Sequence, residues 1–180
     1  MMELEPGDIF FCQQNKTLIQ KGINFIQGRV GNFNNREGGG KSESSHCGII
    51  INYFGSTFES RLRIGKYELS DYIGKDLRIY RFRRMTAHYG EGYRGIIKHE
   101  GQIYPIHRLL LFMVPGLAEK IAPLPKPVCA ELCAKFLYLA HMREKPFWGT
   151  DVDELEDELK SSPKVDCVFN ETLTKENYNV

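Results

Sequence analysis

This chain has no long apolar run. Its longest, at 109–115, falls far short of the roughly 20 residues a bilayer-spanning helix needs, so no stable membrane insertion is expected. The first residues, Met1-Met2-Glu3-Leu4-Glu5, are acidic and carry no apolar segment of the secretory kind. An even cysteine framework is also missing. The five cysteines, Cys12, Cys47, Cys129, Cys133 and Cys167, argue against a disulfide scaffold. Together these absences predict a reducing, cytoplasmic setting. A charge excess is lacking as well: the net charge of +1 favours neither nucleic acid nor an anionic membrane. The local basic cluster Arg78-Ile79-Tyr80-Arg81-Phe82-Arg83-Arg84 reads as a strand with one solvated face. Gly38-Gly39-Gly40-Lys41-Ser42 lacks the spacing of a phosphate loop and precedes a strand, not a helix. No internal repeat is present.

What remains is a chain with a hydrophobic content of 42%, enough for one real core, and 180 residues suit a single domain over 1–180. The first half predicts a small antiparallel sheet. Gly7-Asp8-Ile9-Phe10-Phe11-Cys12-Gln13 opens with a turn signal and becomes a strand. An amphipathic helix is expected over 16–27 and a polar, glycine-rich loop over 28–45. Ser45-His46-Cys47-Gly48-Ile49-Ile50-Ile51-Asn52-Tyr53 reads as a central strand, turned at Gly55 into a strand over 57–64. On that second strand Phe58, Leu62 and Ile64 share one face and Thr57, Glu59, Arg61 and Arg63 the other. Another strand is expected over 77–82. The second half is helical: 87–100, weakened by Gly90, Gly92 and Gly95; a buried helix or lid near 106–116; and an acidic helix after Thr150 or Asp151. Residues 83–124 thus form a helical or lid elaboration, and 165–180 a flexible tail.

The chemistry gathers on Pro125-Lys126-Pro127-Val128-Cys129-Ala130-Glu131-Leu132-Cys133. Two prolines forbid helix, and strong helix formers then run to about Met142. Cys129 therefore stands at a helix N-terminus, where free N–H groups and the macrodipole lower a thiol pKa. The helix is apolar nearly all round, with Glu131 and Lys135 as an i,i+4 pair on a narrow wet strip, so it belongs at the centre of the molecule. A cysteine there needs a histidine base and a polar group to orient it. His46 begins the central strand, and Gly48 would let another element approach closely. Glu59 lies on the neighbouring strand, with Glu68 and Asp71 as rivals for the third role. His88, His99, His107 and His141 have no matching role. A metal site of Cys129, Cys133, His46 and Cys47 is disfavoured, because neighbours in a strand point to opposite faces.

The ordered set Gly7-Asp8-Ile9-Phe10-Phe11, Ser45-His46-Cys47-Gly48-Ile49, Glu59 and Val128-Cys129-Ala130-Glu131-Leu132 resembles the permuted papain-like, NlpC-type (YiiX-like) cysteine amidases and peptidases. The resemblance covers about residues 7–160. It implies an α+β, circularly permuted papain-like fold, a small antiparallel sheet packed on a central helix that carries the cysteine. It also implies a Cys-His-Glu triad: Cys129 as nucleophile, His46 as base, Glu59 as the acid that orients it. No cofactor is implied. The expected activity is hydrolysis of an amide in a small peptide or cell-wall peptide. Two alternatives stand beside it: a lipid acyltransferase or phospholipase of the same fold, with 109–114 holding an acyl chain, and a binding module without catalysis. Gly101-Gln102-Ile103-Tyr104 resembles a further family segment. Pro105 replaces the family's Asp, and Ala130 replaces the Ser after the nucleophile, so the resemblance does not specify the substrate pocket.

Overall fold

Aromatic and β-branched residues in short runs between turns build a single sheet. The computed structural model describes residues 2–13, 44–84, 86–103 and 127–178. Six strands appear in it: β1 (Ile9–Cys12), β2 (His46–Ile50), β3 (Ser56–Ser60), β4 (Ile64–Glu68), β5 (Asp76–Phe82) and β6 (Val165–Thr172). Every pairing is antiparallel, in the order β4-β3-β2-β1-β5-β6. Three helices accompany the sheet: α1 (Tyr89–Ile97), α2 (Cys129–Leu139) and α3 (Val152–Ser161). The architecture is α+β. The predicted 16–27 helix, the 106–116 segment and nearly all of the 28–45 loop lie outside the described residues.

Side chains alternate across the sheet and divide the core in two. Ile9, Phe11, Cys47, Ile49, Phe58 and Tyr80 pack with α2 and its neighbours. Phe10, Cys12, Ile50, Leu77 and Ile79 pack on the other face with Met2, Leu4, Leu69, Tyr72 and Leu173. Both faces being covered, β1 and β2 are buried throughout, as near-continuous apolar runs require.

α2 crosses the first face at the middle of the fold, as its apolar circumference demands. α1 packs on it closely because Gly92 has no side chain: a Cβ there would lie 2.8 Å from the Phe136 carbonyl oxygen. The glycine that weakens α1 locally is thus what seats it on α2. α2 ends at Leu139, earlier than the expected Met142. His141 takes φ 58°, and Met142 N–H bonds the Leu137 carbonyl at 2.9 Å, a Schellman closure. Asp151 caps α3 by accepting the Glu154 N–H at 2.7 Å.

Three expectations need correction. The strand expected over 57–64 stops at Ser60, and the chain reverses so that Ile64 opens β4. Residues 165–172 are not tail but β6, paired along β5, with ordering beyond it through Leu173, which is fully buried. The basic residues of β5 are not a solvated row. Arg78 pairs with Glu156 at 2.5 Å and Arg81 with Asp8 at 2.8 Å; Arg83, just past the strand, is exposed and meets Asp166 at 2.8 Å. β5 lies inside the sheet, so its cations meet acids from α3 and the N-terminal segment.

Candidate active site

α2 starts on a fixed carboxylate. Val128 is extended, and its N–H donates to Glu131 Oε2 at 3.1 Å, half of a capping box. Glu131 Oε1 accepts the Gly149 N–H at 2.8 Å. Glu131 was expected on a wet strip beside Lys135; it is buried instead, because helix-start N–H groups need an acceptor. Lys135 Nζ lies 2.7 Å from His99 Nε2.

Cys129, the first residue of α2, enters a fork in the sheet. β1 and β2 remain paired to Cys12 and His46, but β2 and β3 pair only from Gly48 and Glu59 onward. Beyond that point Ser60 Oγ donates to the Pro127 carbonyl at 3.3 Å, holding the chain that leads into Cys129. Cys129 itself packs in the core on the α2 side of the sheet. Cys47 and His46 are the neighbours that act most strongly on its charge. His46 and Cys47 point to opposite faces, as expected: Cys47 packs with the α2 side of the core, and His46 lies against Phe10 and Tyr72.

His46 Nε2 is 2.8 Å from Glu59 Oε2, which leaves Nδ1 as the ring nitrogen for the sulfur. Phe10 and Tyr72 flank the ring, Tyr72 nearly parallel to it at 18°. Glu59 is fully buried and fully engaged. Besides His46 it accepts from Arg61 Nε at 2.8 Å, Arg61 Nη2 at 3.2 Å, Tyr72 Oη at 2.5 Å and Thr57 Oγ1. Such charge-assisted bonds are what make a buried carboxylate tolerable. Its rivals do other things: Asp71 accepts from Arg61 Nη1 at 2.8 Å, and Glu68 from Ser56 Oγ at 3.2 Å.

The charges follow from this packing. Burial opposes the imidazolium, but hydrogen bonds and charge from Cys129 and Glu59 outweigh it and raise His46 to about 10. Burial pushes Glu59 up; His46 and Arg61 overcome it and hold the carboxyl at about 2. The Cys47 hydrogen bond is the largest influence on Cys129; with His46 it outweighs burial and brings the thiol well below its ordinary value. Burial, then Cys129 and Cys133, push Cys47 well up. These directions favour a thiolate on Cys129 beside an imidazolium on His46, with Cys47 neutral.

No family model, curated protein or solved structure matches this chain. The chemistry therefore rests on its own residues. All three predicted site residues, Cys129, His46 and Glu59, come together. Cys47, Arg61 and Tyr72 complete the site and were not among those three. Arg61 was legible as a partner for Glu59, though as one on a solvated face. Tyr72 arrives from a 3-10 turn, Leu69–Tyr72, that folds back over Glu59, and no local pattern announces that. Tyr104 and Pro105 lie outside the described residues. His88, Glu91 and His141 bring three possible ligand atoms within 4.8 Å, at the far end of α2 from Cys129. None of the described helices is long and apolar enough to cross a membrane.

Proposed function

We propose that this chain is a cysteine hydrolase of the permuted papain-like, NlpC-type kind, which cleaves an amide through an acyl-enzyme on Cys129. The observation that carries the proposal is His46 standing between the Cys129 sulfur and the Glu59 carboxylate. Cys129 thiolate attacks the carbonyl carbon. The developing oxyanion meets the N–H groups at the start of α2, which also carries the positive end of the helix dipole. The His46 imidazolium gives its proton to the leaving amine as the C–N bond breaks. Now neutral, His46 takes a proton from water, whose oxygen attacks the thioester, and Cys129 leaves as the thiolate. Glu59 holds the imidazole in place and favours its charged form.

Small peptides and cell-wall peptides are the proposed substrates, on the strength of the resemblance alone. A reducing, cytoplasmic setting belongs to the same proposal, supported by five cysteines of which none is in a disulfide. The lipid alternative rested on 109–114, outside the described residues, and nothing in the site favours it. Peptide-amide hydrolysis by the wild type and by Cys129→Ala tests the proposal. Turnover should vanish in the variant, and equal rates would reject it. A binding module is distinguished by iodoacetamide: an unactivated Cys129 would label no faster than the other thiols at neutral pH.

A further inference from the structure

Histidines stand at both ends of the contact between α1 and α2. His99, just past α1, has Nε2 2.7 Å from Lys135 Nζ. His88, the N-cap of α1, stacks on His141, just past α2, with ring centroids 4.1 Å apart and planes 12° from parallel. The two helices therefore run antiparallel, and the start of α1 meets the end of α2. Glu91 follows three residues after His88, and His88 Nδ1 donates to its Oε1 at 3.1 Å. One ligand atom from each of His88, Glu91 and His141 lies within 4.8 Å of the other two. The amide-cleaving mechanism uses none of the three.

His141 holds its place at a backbone cost. Its φ of 58° is the one positive value outside glycine among the described residues. Glycine is the usual residue at such a helix close, because it takes this conformation freely. Histidine there sets a second imidazole face to face with His88 and within reach of Glu91. Two imidazoles and one carboxylate are a donor set for a borderline divalent cation, and zinc takes it with three protein ligands and a water. Donors about 2.0–2.1 Å from a tetrahedral ion lie about 3.3 Å from one another. The His88–Glu91 pair already has that spacing. Glu91 and His141 are exposed and His88 is half-buried, so side-chain rotation can bring in the third donor.

We propose that His88, Glu91 and His141 form a zinc site that clamps the start of α1 to the end of α2. The ion takes the place of the proton between His88 Nδ1 and the Glu91 carboxylate, and that proton passes to solvent. The fourth position holds water, so the ion is exchangeable. The site is one helix length, about 15 Å, from Cys129. It does not rest on the hydrolase reading.

The full-length chain, stripped with a chelator, is titrated with zinc chloride in a calorimeter and melted with and without zinc. Two variants should keep the fold while losing a ligand: His141→Gly suits the positive φ, and His88→Asn is a favoured N-cap. Wild type should bind one equivalent, and its melting temperature should rise with zinc concentration. Magnesium, which prefers oxygen ligands and its own water, should do neither. Losing even an outer partner of a metal ligand costs about 10–100-fold in affinity, so each variant, and Glu91→Gln with them, should bind zinc at least that much more weakly. Cys129→Ala should bind as wild type does. Cobalt(II) in place of zinc should show visible bands without the near-ultraviolet absorption of a cobalt–thiolate bond. Absence of zinc binding in wild type overturns the proposal. So does wild-type affinity in His141→Gly and His88→Asn, or a cobalt–thiolate spectrum, either of which would put the ion on the cysteines.

Discussion

Gly48 and Glu59 stand opposite each other in the β2–β3 ladder, and a Cβ on Gly48 would lie 2.6 Å from Glu59 Cγ. The same Cβ would lie 2.6 Å from the Phe10 ring. The space a side chain would fill at Gly48 is therefore occupied by the Glu59 stem on one side and Phe10 on the other. His46 is two residues earlier on the same face, which brings its ring onto the Glu59 carboxylate. One missing methyl group joins the strand pairing to the electrostatics of the site.

Gly48→Ala tests that link. Both neighbours are buried, so neither has room to move aside, and overpacking of this kind costs about 1–3 kcal/mol. The melting temperature should fall, and Cys129 labelling by iodoacetamide should slow as Glu59 is pushed from His46. A variant that melts and labels like wild type would show that the contact is slack.

Glu59→Gln keeps the shape of the side chain and removes its charge. His46 then loses one of the two groups that raise it, so its titration, followed by NMR of the ring, should move down from about 10 by one unit or more. Arg61 loses its buried partner as well but keeps Asp71. Glu59→Ala should in addition destabilise the fold by about 3 kcal/mol, because Thr57, Tyr72 and Arg61 all lose an acceptor. An unchanged His46 titration in Glu59→Gln would remove Glu59 from the site.

How much of this was legible in the chain depended on distance along it. The β2–β3 hairpin and the place of His46 and Glu59 within it followed from alternation around a turn, because register in a hairpin is local. The Cys129 helix start followed from Pro127 and the helix formers after it. What escaped was set by contacts between distant segments. Glu131 has the spacing of a surface i,i+4 partner for Lys135, yet the Gly149 N–H needed an acceptor and took it inside. The 165–172 segment is exposed at most of its positions, since it is an edge strand that buries little beyond Val165, and so it passed for tail.

The dependence of stability on pH has a definite sign on each side. His46 is raised in the fold, so its contribution is full below its ordinary value of 6.5 and is lost as pH rises through about 10. Glu59 is lowered, so its contribution is present above its ordinary value of 4.5 and is lost as pH falls to about 2. The two together favour the fold most between about 4.5 and 6.5. Denaturant unfolding across the acid and alkaline range should show this plateau. In Cys129→Ser the alkaline decline should begin earlier, because His46 has lost the thiolate that helps to raise it. Identical profiles in variant and wild type would mean that the thiolate and the imidazolium do not interact.

Glu131 offers a test of whether the helix start, and not the cysteine alone, prepares the thiolate. One carboxylate accepts the Val128 N–H at 3.1 Å and the Gly149 N–H at 2.8 Å, both in buried surroundings. Glu131→Gln retains one acceptor oxygen and turns the other into a donor that neither N–H can use. Glu131→Ala removes both acceptors and leaves a void. Each buried N–H left without a partner costs about 1–3 kcal/mol, so stability should fall in the order wild type, Gln, Ala. The rate of Cys129 alkylation should fall in the same order, because Val128 fixes the angle at which the chain enters the fork beside Cys47. If stability falls in that order while alkylation stays constant, the cap serves the fold only, and the position of the sulfur is held by His46 and Cys47 without it.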